Sequence, residues 1–269
     1  MNTIAFIGGG NMASAIIGGL LKSGRGVTSI IVVEPFEAQR SKLLADFNIS
    51  ALPAADATLA KADGVVWAVK PQLFSAAALP CAAHVAQALH LSVMAGIRSD
   101  SIACAVGSQR VVRAMPNTPA LIGQGISGLF ARAAVSAAEK LQIEALLIPT
   151  GQTLWVEREG DLDAVTALSG SGPAYVFYFI EAMMQAATDM GLSAAQGRQL
   201  ALATFAGSTA LAQASDEPPH VLRDRVTSKG GTTFAALSAM ETAGVKAAVV
   251  SAIQAAQNRA CELGDEFGA

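Results

Sequence analysis

The chain has 269 residues, 52% of them hydrophobic and 14% charged, with a formal net charge of −3. That length exceeds one typical domain and points to two, and so little charge points to a large apolar face covered by another subunit. An acidic balance without a lysine and arginine cluster excludes a nucleic-acid footprint, so no nucleic-acid partner is expected.

The N-terminal "MNTIAFIGGG" lacks a basic region followed by an apolar stretch and a small-residue cleavage site, so a cytoplasmic protein is expected. From Thr3 to about Val156 short apolar runs alternate with helix-length segments. The runs are "TIAFI", "SIIVV", "GVVWAV", "LHLSVMAG", "RVVRAM" and "GISGLF". Continuous apolar runs are the mark of strands buried on both faces, and alternation with helices predicts a doubly wound α/β domain. Helices are expected over residues 11–23 and 36–47.

The first strand runs directly into Gly8-x-Gly10-x-x-Ala13 and then a helix. Gly8 permits a tight turn, Gly10 lets backbone approach a pyrophosphate, and Ala13 allows close helix–strand packing, which is the dinucleotide turn of a Rossmann domain. Glu34 closes the second strand where the adenine ribose of a dinucleotide belongs. A carboxylate there accepts from a ribose 2′-hydroxyl and favours NADH, whereas Arg40 on the next helix is placed to pair with the 2′-phosphate of NADPH. Three later strands end in the loops Lys70-Pro71, Ala95-Gly96 and Pro116-Asn117-Thr118-Pro119, at the strand ends where ligands of open α/β sheets sit. Lys70 reads equally as a cofactor contact and as a surface lysine.

After "EREGDL" the strand runs stop, and an all-helical second domain is expected over residues 159–269, following a dinucleotide-binding domain over residues 1–158. Helices are predicted over residues 174–190, closed by Gly191, over residues 193–214 with Ser193 as cap, and over residues 233–262 with a break near Gly244. "SDEPPH" (215–220) reads as a loop. The apolar stretch beginning at Ala174 contains Glu181 and Asp189 and is too interrupted to span a membrane, so no membrane partner is expected. Cys81, Cys104 and Cys261, like His84, His90 and His220, are scattered, so free thiols, no metal site and no histidine base are expected.

One segment of the helical half departs from its surroundings. "RVTSKGGTTFAALSAME" gathers Ser228, Gly230, Gly231, Thr232 and Thr233 at a helix start. Glycine amides, hydroxyls and the positive end of a helix are the equipment for holding a small carboxylate, and they are equally ordinary components of a helix cap.

Taken together with "FIGGGNMA", "AVKP" (68–71), "RAMPNTPALIGQG" (113–125) and "VTALSGSGPAYVFYFIEAM" (165–183), this segment resembles the pyrroline-5-carboxylate reductases, enzymes that make proline. The resemblance spans the whole chain. It implies a Rossmann-like sheet followed by an all-helical dimerisation and substrate-binding domain. It also implies a homodimer or larger homo-oligomer, an active site between one dinucleotide domain and the helical domains of the dimer, NADPH or NADH as cofactor, and a small imino acid as substrate. Cofactor contacts implied are Ile7, Gly8, Gly9, Gly10, Asn11, Met12, Ala68, Val69, Lys70, Pro71, Ala95 and Gly96. Asn117 is implied as a cofactor or substrate contact. Ser228, Gly230, Gly231 and Thr232 are implied to hold the substrate carboxylate, with Thr233 beside the ring nitrogen as the catalytic group. Lys229 departs from the family, in which many members have proline. The family's frequent use of NADPH runs against the simple reading of Glu34 and leaves the preference open.

Two rivals share parts of this pattern. A β-hydroxyacid dehydrogenase has the same layout but needs a catalytic lysine on an interdomain helix, and Lys246 lacks the accompanying motif. A dinucleotide-sensing regulator needs an effector surface that this sparsely charged chain does not show.

Overall fold

The continuous apolar runs of the first half form one seven-stranded sheet in the order β2-β1-β3-β4-β5-β6-β7. The structure is a computed structural model and describes residues 1–267. In chain order the sheet half comprises β1 (Ile4–Ile7), α1 (Asn11–Lys22), β2 (Ile30–Val33), α2 (Glu37–Phe47), β3 (Gly64–Trp67), α3 (Phe74–Val85), β4 (Leu89–Ser92), α4 (Ser99–Val106) and β5 (Val111–Met115). It continues through β6 (Gly125–Ala131), α5 (Ala137–Leu147), β7 (Gly151–Trp155) and α6 (Asp161–Val165). Helices α7 (Gly172–Asp189), α8 (Ala194–Gln213), α9 (Pro219–Arg225), α10 (Thr232–Thr242) and α11 (Val245–Phe267) follow.

Strands β1 to β5 are parallel, and every residue of β1, β3 and β4 is buried. The two-residue period of a strand divides its side chains between two helical layers. Ile4 and Phe6 pack with Ile16 and Ile17 of α1 and Ile143 of α5, while Ala5 and Ile7 pack with Phe74 of α3 and Ile102 of α4. This is the doubly wound arrangement expected. Two features differ from the expectation. β6 runs antiparallel to β5, and a seventh strand, β7, lies beyond it, parallel to β6. β7 is an edge strand whose residues alternate between half-buried and exposed, so it carries none of the continuous apolarity that marks the buried strands.

The chain divides into two compact units, residues 1–171 with 256–269, and residues 172–255. The expected division after residue 158 differs from this, because residues 159–171 and the last turns of α11 pack with the sheet unit. α6 runs on as a π-helical turn, Thr166–Gly170, in which the Ser171 N–H reaches the Thr166 carbonyl at 2.8 Å. The turn sits on the sheet: a Cβ on Gly128 of β6 would lie 2.6 Å from Val165, and one on Gly170 would lie 2.7 Å from Met115.

In the second unit α7 and α8 form a hairpin. Gly191, at φ 89°, ends α7 as a left-handed residue, and Ser193 and Gln196 form a reciprocal capping box at the start of α8. Gly197 lets the helices close, since a Cβ there would lie 2.9 Å from that of Ala187. The segment expected as a loop at 215–220 gives rise to α9, which Pro219 opens at a position where proline suits a helix. Gly244, at φ 68°, separates α10 from α11.

Candidate active site

The turn after β1 and its neighbour β3 form the core of the site, at the point where strand order reverses on either side of β1. Gly8 has φ 96°, and a Cβ there would lie 2.6 Å from the Ala68 carbonyl oxygen and 3.0 Å from Val69. Glycine is thus required twice over, for conformation and for space. The Ala68 N–H donates to the Ile7 carbonyl at 2.8 Å, which brings the residues after both strands together. Gly10 caps α1 with no side chain filling the cap, and space is open where its Cβ would be. The first amides of α1, on Asn11 and Met12, are donors of the kind that hold phosphate at a helix N-terminus. A dinucleotide pyrophosphate fits this arrangement.

Glu34 lies at the same turn. It is 5% exposed, and its carboxylate accepts the Gly9 N–H at 2.8 Å through one oxygen and the Phe36 N–H at 2.9 Å through the other. Glu34 thus stands at the expected end of β2, with each carboxylate oxygen accepting one backbone amide. Arg40 donates to the carbonyls of Glu34 and Pro35 at 3.1 and 2.7 Å. Sequence reasoning missed Gln39 and Ser14, whose side chains donate to the Gly9 carbonyl at 2.5 and 3.3 Å.

The loops at the ends of β3, β4 and β5 hold the other residues named in this half. Lys70 is exposed and precedes a short 3-10 turn opened by Pro71. Gly96, at φ 76°, packs against the end of α11, where a Cβ would lie 3.2 Å from the Leu263 carbonyl. The Asn117 side-chain carbonyl accepts the Ile126 N–H of β6 at 3.0 Å, which ties the loop after β5 to its antiparallel neighbour and leaves the amide NH₂ for other partners. Among the described residues no group of three His, Cys, Asp or Glu side chains comes together as a metal site.

The second unit contains the other named segment. Gly231 caps α10 with no side-chain hydrogen bond, its N–H bonding the Ser228 carbonyl at 3.0 Å, and Gly230 has φ 76°. Ser228, Gly230 and Thr232 are exposed, and Gly231 and Thr233 are half-buried. This is an uncapped helix start preceded by a left-handed glycine, the same device as the turn before α1.

Comparison with known proteins decides the family. The description "Pyrroline-5-carboxylate reductase dimerisation" matches residues 159–263, and "NADP oxidoreductase coenzyme F420-dependent" matches residues 3–96. A pyrroline-5-carboxylate reductase of Pseudomonas aeruginosa is 43% identical over 267 residues, 98% of each chain. The chain belongs to the pyrroline-5-carboxylate reductase family. A solved pyrroline-5-carboxylate reductase of Coxiella burnetii superposes with a TM-score of 0.89 at 33% identity, over 97% of this chain and 98% of that one. A pyrroline carboxylate reductase of Plasmodium falciparum, solved with NADP bound, gives 0.87 at 28% identity with the same coverage. The match to the dimerisation description starts at residue 159, the boundary expected from the sequence, so family boundary and compact units differ over residues 159–171.

Proposed function

We propose that this chain reduces the C=N bond of 1-pyrroline-5-carboxylate with NADPH or NADH to give L-proline, the last step of proline biosynthesis, in the cytoplasm. The observation that carries the reading is the pair of uncapped, glycine-led helix starts, at α1 and at α10, in a chain of this family. The first suits a pyrophosphate and the second a small carboxylate.

Bound NAD(P)H supplies the hydride, delivered to the carbon of the C=N bond. Ile7, Gly8, Gly9, Gly10, Asn11 and Met12 form the turn that holds its phosphates, with Ala68, Val69, Lys70, Pro71, Ala95 and Gly96 along the strand ends. Ser228, Gly230, Gly231 and Thr232 hold the substrate carboxylate through amides and hydroxyls, and Thr233 hydrogen-bonds the ring nitrogen. None of the residues assigned to the substrate is a histidine or an acid, so the substrate binds as the iminium and carries its own proton. The Thr233 hydroxyl accepts from that N–H and remains bonded as the nitrogen becomes an amine. Rate enhancement then rests on alignment of donor and acceptor.

The chain acts as a homodimer or larger homo-oligomer through its helical domain. In the second unit Phe177, Tyr178, Leu200, Leu211 and Phe234 are all exposed, more apolar surface than a lone subunit leaves in water. The test is oxidation of NAD(P)H in the presence of pyrroline-5-carboxylate, with L-proline identified as product. A panel of hydroxy acids serves as control, and turnover of those alone would reassign the chain.

A further inference from the structure

The backbone of Gly9 is held from both sides by residues that no sequence motif connects. Its N–H donates to the Glu34 carboxylate at 2.8 Å, and its carbonyl accepts from the Gln39 amide at 2.5 Å and from the Ser14 hydroxyl at 3.3 Å. On the side where a Cβ would stand, Leu43 of α2 would be 2.6 Å away, and Leu43 is fully buried. The two peptide units flanking Gly9 are therefore fixed by one acceptor, two donors and a packed wall, most of them from the β2–α2 segment. The same Glu34 carboxylate accepts the Phe36 N–H at 2.9 Å, so one buried acid joins the phosphate turn to the start of that segment.

We infer that Glu34 and Gln39 are positioning residues that lock the two peptides flanking Gly9, so that the amides of Gly10, Asn11 and Met12 face the cofactor pyrophosphate. This rests on the cofactor site proposed above and changes the role of its acid. A carboxylate that is turned onto two amides and 5% exposed orients the turn and does not choose between a 2′-hydroxyl and a 2′-phosphate. Its loss weakens NADH and NADPH alike, because both share the pyrophosphate. A ribose acceptor would behave differently: its removal would weaken NADH and strengthen NADPH.

The experiment measures equilibrium binding of ADP, NADH and NADPH to the apoenzyme by calorimetry, alongside melting temperature. The variants are Gln39→Ala, Gln39→Glu and Glu34→Gln. Gln39→Ala removes one neutral hydrogen bond, and a weakening of about three- to tenfold is expected for all three ligands. Gln39→Glu sets a carboxylate against the Gly9 carbonyl and weakens them further. Glu34→Gln keeps one acceptor oxygen and places an amide NH₂ against a backbone N–H, so it weakens NADH and NADPH by the same factor. Steady-state kinetics of the Gln39 variants then show the loss in KM for the cofactor, with KM for the imino acid unmoved, a split that general loosening of the fold would not give. Gln39 is half-buried on a helix surface, so the folded state survives these changes. Unchanged ADP affinity in Gln39→Ala, or opposite shifts for NADH and NADPH in Glu34→Gln, would overturn the inference. Failure of the unaltered protein to bind any of the three would instead overturn the cofactor site itself.

Discussion

Arg113 on β5 donates to the Glu159 carboxylate in the loop after β7 at 2.8 Å, with the arginine buried and the acid half-buried. The other Glu159 bonds go to the start of α4, from the Ser99 N–H and hydroxyl, both at 2.6 Å. Arg98 pairs with Asp163 of α6 at 3.1 Å beside them. These contacts are the physical reason residues 159–171 belong with the sheet.

Removing one partner of this pair leaves a charge stranded. Glu159→Ala is expected to cost about 3 kcal/mol of folding stability, while Arg113→Met combined with Glu159→Ala recovers part of it, as a double-mutant cycle by denaturant titration will show. Burial raises the Glu159 pKa, but the bonds from Ser99 and Arg113 outweigh it and hold the carboxyl below its usual 4.5. Its contribution is therefore present above about pH 4.5 and is lost as pH falls through the lower folded value.

His90 supplies a second pH dependence at a higher range. It is fully buried on β4, and its Nδ1 accepts from the Trp67 indole N–H at 3.1 Å. Burial lowers its pKa from 6.5 to about 4. The unfolded chain takes up this proton first, so stability falls as pH drops from 6.5 toward 4 and the term is flat outside that window. The full effect is about 3 kcal/mol. His90→Asn keeps an acceptor for Trp67 without titrating, and thermal melts between about pH 5 and 7, above the range where carboxylates titrate, will lose this slope.

Gly8→Ala meets both the positive φ and the Ala68 carbonyl. A loss of about 1–3 kcal/mol in stability is expected from the backbone strain, together with a rise of at least roughly tenfold in cofactor KM. Gly10→Ala, with open space at its Cβ, leaves stability within about 1 kcal/mol, so any weakening of ADP binding there reports encroachment on the ligand.

Thr233→Ala removes the hydroxyl proposed beside the ring nitrogen. A fall in kcat of roughly ten- to a thousandfold is expected from stopped-flow or steady-state rates, the span for losing one well-placed hydrogen-bonding group. Thr233→Ser retains the hydroxyl and keeps most of the rate.

The buried strands were legible because β1 to β5 are short and largely apolar, and the tight turn after β1 because its glycines are adjacent in the chain. The ends of the long helices were legible too: Gly191, Ser193 and Gly244 each break or cap a helix by local chemistry. Direction and edge position were not. β6 is a mostly buried run like the parallel strands β1 to β5, and nothing in "GISGLF" records that it runs antiparallel to β5; β7 is an alternating edge strand with two polar residues, Gln152 and Thr153. At the site, residue places were readable but bond partners were not. Glu34 and Gln39 reach Gly9 across 25 and 30 residues, and Asn117 reaches Ile126 across a turn, contacts that only the folded chain brings about.

The measurement that bears most directly on the account compares reduction of 1-pyrroline-5-carboxylate with reduction of 1-pyrroline, the same ring without its carboxylate, in the unaltered enzyme. If the amides and hydroxyls at the start of α10 hold that group, kcat/KM for the carboxylate-free ring will be lower by roughly a hundredfold or more, as expected for losing charge-assisted hydrogen bonds. Equal kcat/KM for the two rings would contradict it.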